Sequence, residues 1–303
     1  MGECVITMLL DLCLIFSFNP CATNADGLGA KPPLPECALQ RYDWNEHVVM
    51  PPNAKSRSLD HTSPCGAQVN KFGTRDSDYM KNSQSVQFVA SFMPNALPVT
   101  ADTHALLYGA LVALANFPAG VAVDLGAGVL KSSNLLGSVF AHGTVFACDT
   151  FSGLPEAWER GDVNFPAGTF APKIAPVGLQ PPFPTLDNVI AIRGKFIDTI
   201  PQLLPVLKNY QLALVHIDSD TYQSAVDGLE PLLPLLRVGT ILVFDEFYNY
   251  DDFENGEFRA FMDLIDGNGF KYTPLAFNAH HQQVVIQIVG LPQSEQCTGA
   301  SRP

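Results

Sequence analysis

Two apolar runs that each end in acidic residues constrain the fold of this chain more than any other feature. The runs are Leu212–Ile217 and Thr240–Phe244. The acids that follow are Asp218 and Asp220 after the first run, and Asp245 and Glu246 after the second. Each run is typical of a buried strand, and the residues between them favour a helix. The sequence therefore predicts a strand–helix–strand unit with acids at the edge of an open α/β sheet where ligands bind.

Parallel strands would let these two groups of acids face one another. Like charges raise each other's pKa, so carboxylates rarely gather without a compensating partner. A hard divalent cation with oxygen ligands is the simplest such partner. The alternative is a set of solvated loop acids in which Asp245 caps a helix.

Composition narrows the class of protein. The chain has 303 residues, and its 47% hydrophobic content is ample for a core. A formal charge of −13 argues against nucleic acid as a partner, since nucleic acid selects basic surfaces. The seven cysteines form no CxxC pair and no zinc-like spacing. A Cys37–Cys65 disulfide and free thiols are both open.

Residues 1–25 have features of a signal or targeting segment. Val5–Phe18 is apolar except for Asp11 and is too short to span a bilayer as a helix. It resembles the apolar region of a signal peptide and is followed by small residues up to Ala25. The preceding Met-Gly-Glu has no positive charge, so an ordinary N-terminus is the alternative. A real signal implies an endomembrane or secretory location; otherwise a cytoplasmic one is expected.

Three parts follow this segment. Residues 26–84 form a proline-rich extension without a repeat or motif. Residues 85–290 form the folded domain. Residues 291–303 read as a disordered tail.

A glycine turn follows the first strand of the folded domain. Gly120–Leu125 is a predicted strand, Gly126 and Gly128 come next, and Ser132–Phe140 favours a helix. Strand, glycine turn and helix begin the nucleotide-binding half of a doubly wound sheet. Glycine lets the backbone approach a ligand, and the helix N-terminus points N–H groups at it. A plain tight turn is the alternative.

The next strand carries an acid at its end. Thr144–Cys148 runs into Asp149. An acid at this place commonly binds the two hydroxyls of a ribose. A capping aspartate is the alternative.

Longer motifs now resemble a known family. They are CDTFSGLPEAW around Asp149, VIAIRGKFIDTIP at Val189–Pro201, HIDSDTYQSA at His216–Ala225, and VFDEFYNYDDFENGEFRAF at Val243–Phe261. Together they resemble class I S-adenosylmethionine-dependent methyltransferases of the macrocin O-methyltransferase type. The likeness covers roughly Leu106–Val289.

The resemblance implies a doubly wound, mostly parallel seven-stranded sheet with helices on both faces and a C-terminal antiparallel hairpin. It implies S-adenosylmethionine as cofactor and a divalent cation, usually Mg²⁺. The residues matched to the cofactor are Asp124, Gly126 and Asp149, with Gly128 in place of a family glycine nearer Leu130, and with Phe151 and Asp218 beside them. The residues matched to the metal are Asp218, Asp245 and Glu246.

Several further residues are open to more than one interpretation. His216 lies two residues before Asp218, on the same side of the strand. We predict that both take part in catalysis, although a satisfied core histidine is the alternative. Asp220 could support the metal ligands, act as a base or cap the helix near Thr221. The long segment Trp158–Leu186 could wall the site or merely be pinned down by its aromatics. Those aromatics, with one from just before the segment, are Phe151, Trp158, Phe165, Phe170 and Phe183.

The leading hypothesis is a metal-dependent O-methyltransferase acting on a hydroxyl of a small molecule of sugar or natural-product type, possible as a homo-oligomer. In such a one-step displacement the enzyme must align the acceptor, and a cation lowers the pKa of the hydroxyl. The alternatives are a nicotinamide-dependent oxidoreductase, which leaves the second group of acids without a task, and a non-catalytic module that keeps the fold.

Overall fold

A computed structural model describes residues 83–161, 163–171 and 186–293 of the chain. The predicted targeting segment, nearly all of the proline-rich extension, most of the tail and Phe183 lie outside the described residues. Those expectations stay predictions. In the described residues no helix is both long and apolar enough to cross a bilayer.

One sheet of eight strands organises the described chain, in the order β1-β9-β10-β8-β7-β2-β3-β6. Its strands are β1 Leu97–Val99, β2 Val121–Leu125, β3 Val145–Asp149, β6 Val189–Arg193, β7 Leu212–Ile217, β8 Ile241–Phe244, β9 Lys271–Asn278 and β10 Val284–Gly290. The five neighbouring strands β6, β3, β2, β7 and β8 are parallel to one another. Strand β10 runs antiparallel to both β8 and β9. The mostly parallel fold with a closing antiparallel pair is therefore confirmed.

The expected count of seven strands was too low by one. The added strand is β1, which pairs in parallel with residues 276–278 of β9. Its three residues, with Pro98 at the centre, are too few to show an alternating pattern. Only the neighbouring β9 reveals this segment as a strand.

Helices and turns connect the strands. The helices are α1 Ser83–Phe92, α2 Asp102–Asn116, α3 Lys131–Val139, α4 Phe196–Leu207, α5 Tyr222–Leu229 and α6 Glu257–Phe261. Residues 253–266 form three consecutive pieces: a 3-10 turn at Phe253–Asn255, α6, and a π turn at Met262–Asp266. Gly256, with φ −99° and ψ −137°, separates the first two pieces.

Both faces of the sheet are covered. Leu242 and Phe244 belong to the main apolar cluster, together with Ile200 of α4 and Leu229 of α5. The opposite face meets α2, where a Cβ at Gly109 would lie 2.7 Å from the Val243 side chain. Alternate residues of β8 thus pack in opposite directions, as the pleat requires.

The segment predicted as a long irregular loop contains a small hairpin. β4 (Trp158–Arg160) pairs antiparallel with β5 (Val163–Phe165). The Trp158 and Phe165 rings stack at 5.1 Å, and the Arg160 guanidinium lies 4.3 Å from the Tyr250 ring centre. Three-residue strands carry little periodic pattern, so the hairpin was not predictable from this sequence.

The two acid-tipped strands end at the same level. β7 and β8 are parallel neighbours with Ile217 opposite Phe244. Asp245 N donates to Ile217 O at 2.8 Å, and Asp218 N donates to Leu125 O at 2.8 Å. The strand ladder therefore brings the acids after β7 and β8 to one edge, beside the glycine turn after β2.

Asn188 ties the edge strand β6 to the end of α3. Its Nδ2 donates to the carbonyl oxygens of Gly137, Phe140 and Gly143 at 3.0, 2.9 and 3.2 Å. Truncation to alanine leaves half-buried carbonyls without their donor, so we expect Asn188→Ala to lower the free energy of unfolding by about 1–3 kcal/mol. Urea denaturation measures this. The control is Asn209→Ala, because the exposed Asn209 contacts only Pro205 O and Val206 O. Equal effects of both substitutions would contradict the assignment.

Candidate functional site

The glycine turn after β2 lies directly against the end of β7. Gly126 has φ +103°, and a Cβ there would stand 1.6 Å from Asp218 O. Its N–H donates to Cys148 O at 2.9 Å. No side chain fits between these backbones, so glycine is required by both conformation and space.

Gly128 faces open space. It has φ +46°, and no atom lies within 4 Å of the position a Cβ would take. Its N–H donates to Asp149 Oδ2 at 2.8 Å. Leu130 comes two residues later, with φ +66°; it is fully buried and is the N-cap residue of α3. This turn forms a concave backbone surface of the kind that nucleotides occupy.

Asp149 closes the turn from the end of β3. Besides Gly128, its carboxylate accepts the Phe151 N–H at 2.5 Å. Burial raises the pKa of Asp149 above its usual value, although these two hydrogen bonds partly oppose the increase. Phe151 is buried and lies 5.6 Å from the Arg193 guanidinium carbon, so it packs behind the turn.

Asp124 is buried beneath the turn. Its Oδ2 accepts from Ser132 Oγ at 2.8 Å and from Ser133 Oγ, and its Oδ1 contacts His216 Nδ1 at 2.8 Å. Burial alone would raise the pKa of Asp124, but the hydrogen bond and charge of His216 bring it below the usual value. Asp124 does not line the cleft described below. Within the described residues it therefore supports the turn from underneath.

His216 lies between two carboxylates. Its Nδ1 contacts Asp124, and its Nε2 is 3.9 Å from Asp245 Oδ1. Burial alone would lower the pKa of His216, but Asp124, Asp245 and the charge of Asp218 raise it well above its usual value. A protonated imidazole has no free lone pair, so this geometry favours an internal cation over a general base.

The acids after β7 and β8 converge into two sets of possible ligands. In each set the ligand atoms lie within 4.8 Å of one another. One set is His216, Asp218 and Asp245; the other is Asp218, Asp220 and Glu246. Asp218 belongs to both, while the predicted partners Asp245 and Glu246 fall in different sets. Gln283 Nε2 donates to Asp245 Oδ1 at 3.0 Å. All three members of the second set line the cleft described below, whereas His216 and Asp245 do not.

Crowding of negative charge dominates this edge. Burial, followed by the charge of Asp245, raises the pKa of Asp218 and of Glu246 well above their usual values. The same two causes raise the pKa of Asp220 to about 7, with Arg160 opposing them. Glu246 Oε2 is buried and has no hydrogen-bond partner within the described residues. A cation would satisfy that oxygen and offset the repulsion.

One cleft of about 430 Å³ joins the turn to the acids. We call it the glycine–acid cleft; its defining residues are Gly126, Gly128, Asp149, Asp218, Asp220 and Glu246. Phe170 also borders it and is 57% exposed there. The Phe170 ring packs against Phe165, which in turn stacks on Trp158. These aromatic contacts hold Phe170 in place at the wall of the cleft.

Sequence reasoning missed two contributors. Phe196 borders the cleft from the first turn of α4, and it lies in the quoted VIAIRGKFIDTIP motif. Glu257 at the start of α6 is fully buried and hydrogen-bonds to the loops after β7 and β8. Glu257 lies in the quoted VFDEFYNYDDFENGEFRAF motif. Because glutamate is rarely fully buried unless it is paired, the motif alone does not mark this residue as a buried bridge.

Known proteins resemble this chain in part. Residues 120–264 match the family model described as Macrocin-O-methyltransferase. No curated protein matches the chain.

Solved structures resemble the chain more distantly. The calicheamicin methyltransferase CalS11 is 16% identical over 78% of this chain and 99% of its own, with a TM-score of 0.42. The O-methyltransferase NovP is 16% identical over 61% and 78%, with a TM-score of 0.41. MycE, a methyltransferase of the mycinamycin pathway in complex with Mg and SAH, is 13% identical over 56% and 45%, with a TM-score of 0.35. TM-scores this low carry no argument about function.

The family match over residues 120–264 supports the class of S-adenosylmethionine-dependent O-methyltransferases for this chain. Within that class the match is to the macrocin O-methyltransferases, which confirms the resemblance that the motifs indicated. The family match favours this class over the nicotinamide-dependent oxidoreductase and the non-catalytic module.

Asp149 provides a test of the cofactor end of the cleft. We expect Asp149→Ala to weaken binding of S-adenosylhomocysteine by tenfold or more, about 1.4 kcal/mol, because a charged hydrogen-bond acceptor is lost. Isothermal titration calorimetry measures the affinity, and thermal unfolding checks the fold. Asp187→Ala is the control, since Asp187 is exposed in the turn before β6. An unchanged affinity in Asp149→Ala would remove Asp149 from the cofactor site.

Proposed function

We propose that the chain transfers the methyl group of S-adenosylmethionine to a hydroxyl of a small molecule, of sugar or natural-product type, with the help of a divalent cation. The observation that carries this proposal is the shared cleft. The open turn at Gly128 and the acids Asp218, Asp220 and Glu246 border the same 430 Å³ space. Cofactor and acceptor can therefore meet within it.

The turn supplies the cofactor end. The backbone at Gly128 leaves room for the methionine part, and the carboxylate of Asp149 is placed to accept hydrogen bonds from the ribose hydroxyls. Phe170 and Phe196 give the wall apolar surface. Such a wall excludes water and strengthens the electrostatic contacts inside the cleft.

The acids fit a divalent cation. Asp218 and Glu246 would hold it, with Asp245 beside them, because Mg²⁺ and similar ions prefer carboxylate oxygens. The unpartnered Glu246 Oε2 supports this fit from the structure itself. When bound, such an ion lowers the pKa of a coordinated hydroxyl.

Asp220 is the residue placed to receive the proton of the acceptor. It borders the cleft beside Asp218 and Glu246, with which it forms one of the candidate ligand sets. In the displacement, the acceptor oxygen forms a bond to the methyl carbon as the carbon–sulfur bond breaks. The products are the methyl ether and S-adenosylhomocysteine, and the hydroxyl proton passes to Asp220. His216, already paired with Asp124, keeps the adjoining carboxylates in place.

Metal removal tests this proposal. We expect a chelator to abolish methyl transfer from labelled S-adenosylmethionine to a panel of nucleotide sugars and glycosylated polyketides, while S-adenosylhomocysteine still binds. The double variant Asp245→Ala, Glu246→Ala should lose Mg²⁺ binding in calorimetric titration, because two carboxylates at the site are gone. Its affinity for S-adenosylhomocysteine should stay within about twofold.

The matched control is Glu230→Ala, since Glu230 is exposed in the 3-10 turn after α5. Transfer that survives both the chelator and the double variant would exclude the cation from the reaction.

A further inference from the structure

We infer that Glu257 is a positioning residue that sets the spacing between the two acid-bearing loops, and that it does so as a carboxylate rather than as a filler of the core. This inference rests on the proposed function, because it assigns those loops the task of holding a cation. Glu257 lies on α6, eleven residues after Glu246.

Three hydrogen bonds place the Glu257 carboxylate between the loops. Its Oε1 accepts from Ser219 N at 2.9 Å and from Ser219 Oγ at 3.0 Å. Its Oε2 accepts from Glu246 N at 3.1 Å. Ser219 separates Asp218 from Asp220, and Glu246 follows Asp245. One side chain therefore links the two loops that carry the acids of the candidate ligand sets.

The burial of Glu257 shows how much this bridge matters. The residue is 0% exposed, although an isolated carboxylate is costly to bury. Backbone N–H groups that stay buried without an acceptor are costly as well. The carboxylate and the two loops thus satisfy one another, and the distance between loops follows from the length of one carboxyl group.

The chemistry of the bridge requires an acceptor on both sides. A carboxylate accepts at both oxygens, whereas a glutamine amide turns two donors toward one of the loops. Glu257→Gln therefore preserves volume but opposes a backbone N–H with an N–H₂ group. The loop that meets this group must move, and the ligand oxygens move with it.

The experiment uses Mn²⁺ alone as the probe, read by electron paramagnetic resonance on the full chain. We expect Glu257→Gln to weaken Mn²⁺ binding by about tenfold or more, the usual effect of losing a residue that orients metal ligands. Its affinity for S-adenosylhomocysteine should stay within about twofold, because Glu257 contacts neither Gly128, in the turn after β2, nor Asp149, at the end of β3. Glu230→Gln, the same change on an exposed turn, should leave both affinities unchanged.

The outcomes distinguish the positioning role of Glu257 from the proposed cation site on which it depends. If the wild-type chain binds Mn²⁺ and folded Glu257→Gln binds it equally well, the positioning role is overturned while the cation site stands. If the wild-type chain binds no Mn²⁺, the cation site falls and the inference falls with it. Equal losses of Mn²⁺ and S-adenosylhomocysteine affinity indicate general disruption and also overturn a specific role.

Ser219→Ala keeps the test decisive if Glu257→Gln does not fold. It removes only the Oγ donor and leaves the Ser219 N–H bond in place. We expect a smaller loss of Mn²⁺ affinity, several-fold in size, with the thermal unfolding temperature near that of the wild type. No change in Mn²⁺ affinity in Ser219→Ala would count against the bridge.

Discussion

The concentration of buried negative charge at the ends of β7 and β8 is the constraint on which the rest of this site depends. Glu246 and Glu257 are buried there, and the half-buried Asp218, Asp220 and Asp245 adjoin them. Desolvation and mutual repulsion both act against such a group. The fold tolerates it only because donors and positive charge surround it.

Those compensating groups come from separate parts of the chain. His216, on β7 itself, contacts the Asp124 carboxylate across the ladder from β2. Arg160 contributes from the hairpin, held between the Trp158 and Tyr250 rings. The Ser219 and Glu246 N–H groups are satisfied by Glu257. Each contributor also fixes a neighbouring element, so electrostatic balance and geometry are set by the same contacts.

The cofactor end is coupled to this edge through backbone contact. The Gly126 turn lies against Asp218 O, and Asp218 N continues the ladder with Leu125. These backbone contacts fix the position of the turn relative to the end of β7. Methyl transfer requires close alignment of donor and acceptor. The backbone contact between the Gly126 turn and Asp218 holds the cofactor end and the acid end of the cleft in a fixed relation, which meets that requirement.

Local patterns determined much of this molecule. Alternation of apolar runs with helical segments predicted the parallel sheet, because strands buried on both faces read as continuous apolar runs. The glycine turn, Asp149 and the acids after β7 and β8 could also be predicted, because each directly follows a strand in the sequence. Short elements escaped prediction. β1 and the hairpin are strands only because of partners far away in sequence, and three residues carry no usable period.

The sequence by itself determined the class of fold, the edge of the sheet that carries the site and the residues that could reach it. Only the tertiary structure decided what each of them touches. It placed Asp124 beneath the turn and paired His216 with it, since side chains from neighbouring parallel strands meet in register. It divided the acids between two ligand sets, and it brought Glu257 from a distant helix to join their loops. Hydrogen bonds between residues remote in sequence leave no periodic trace in the chain, which is why these roles emerge only once it is folded.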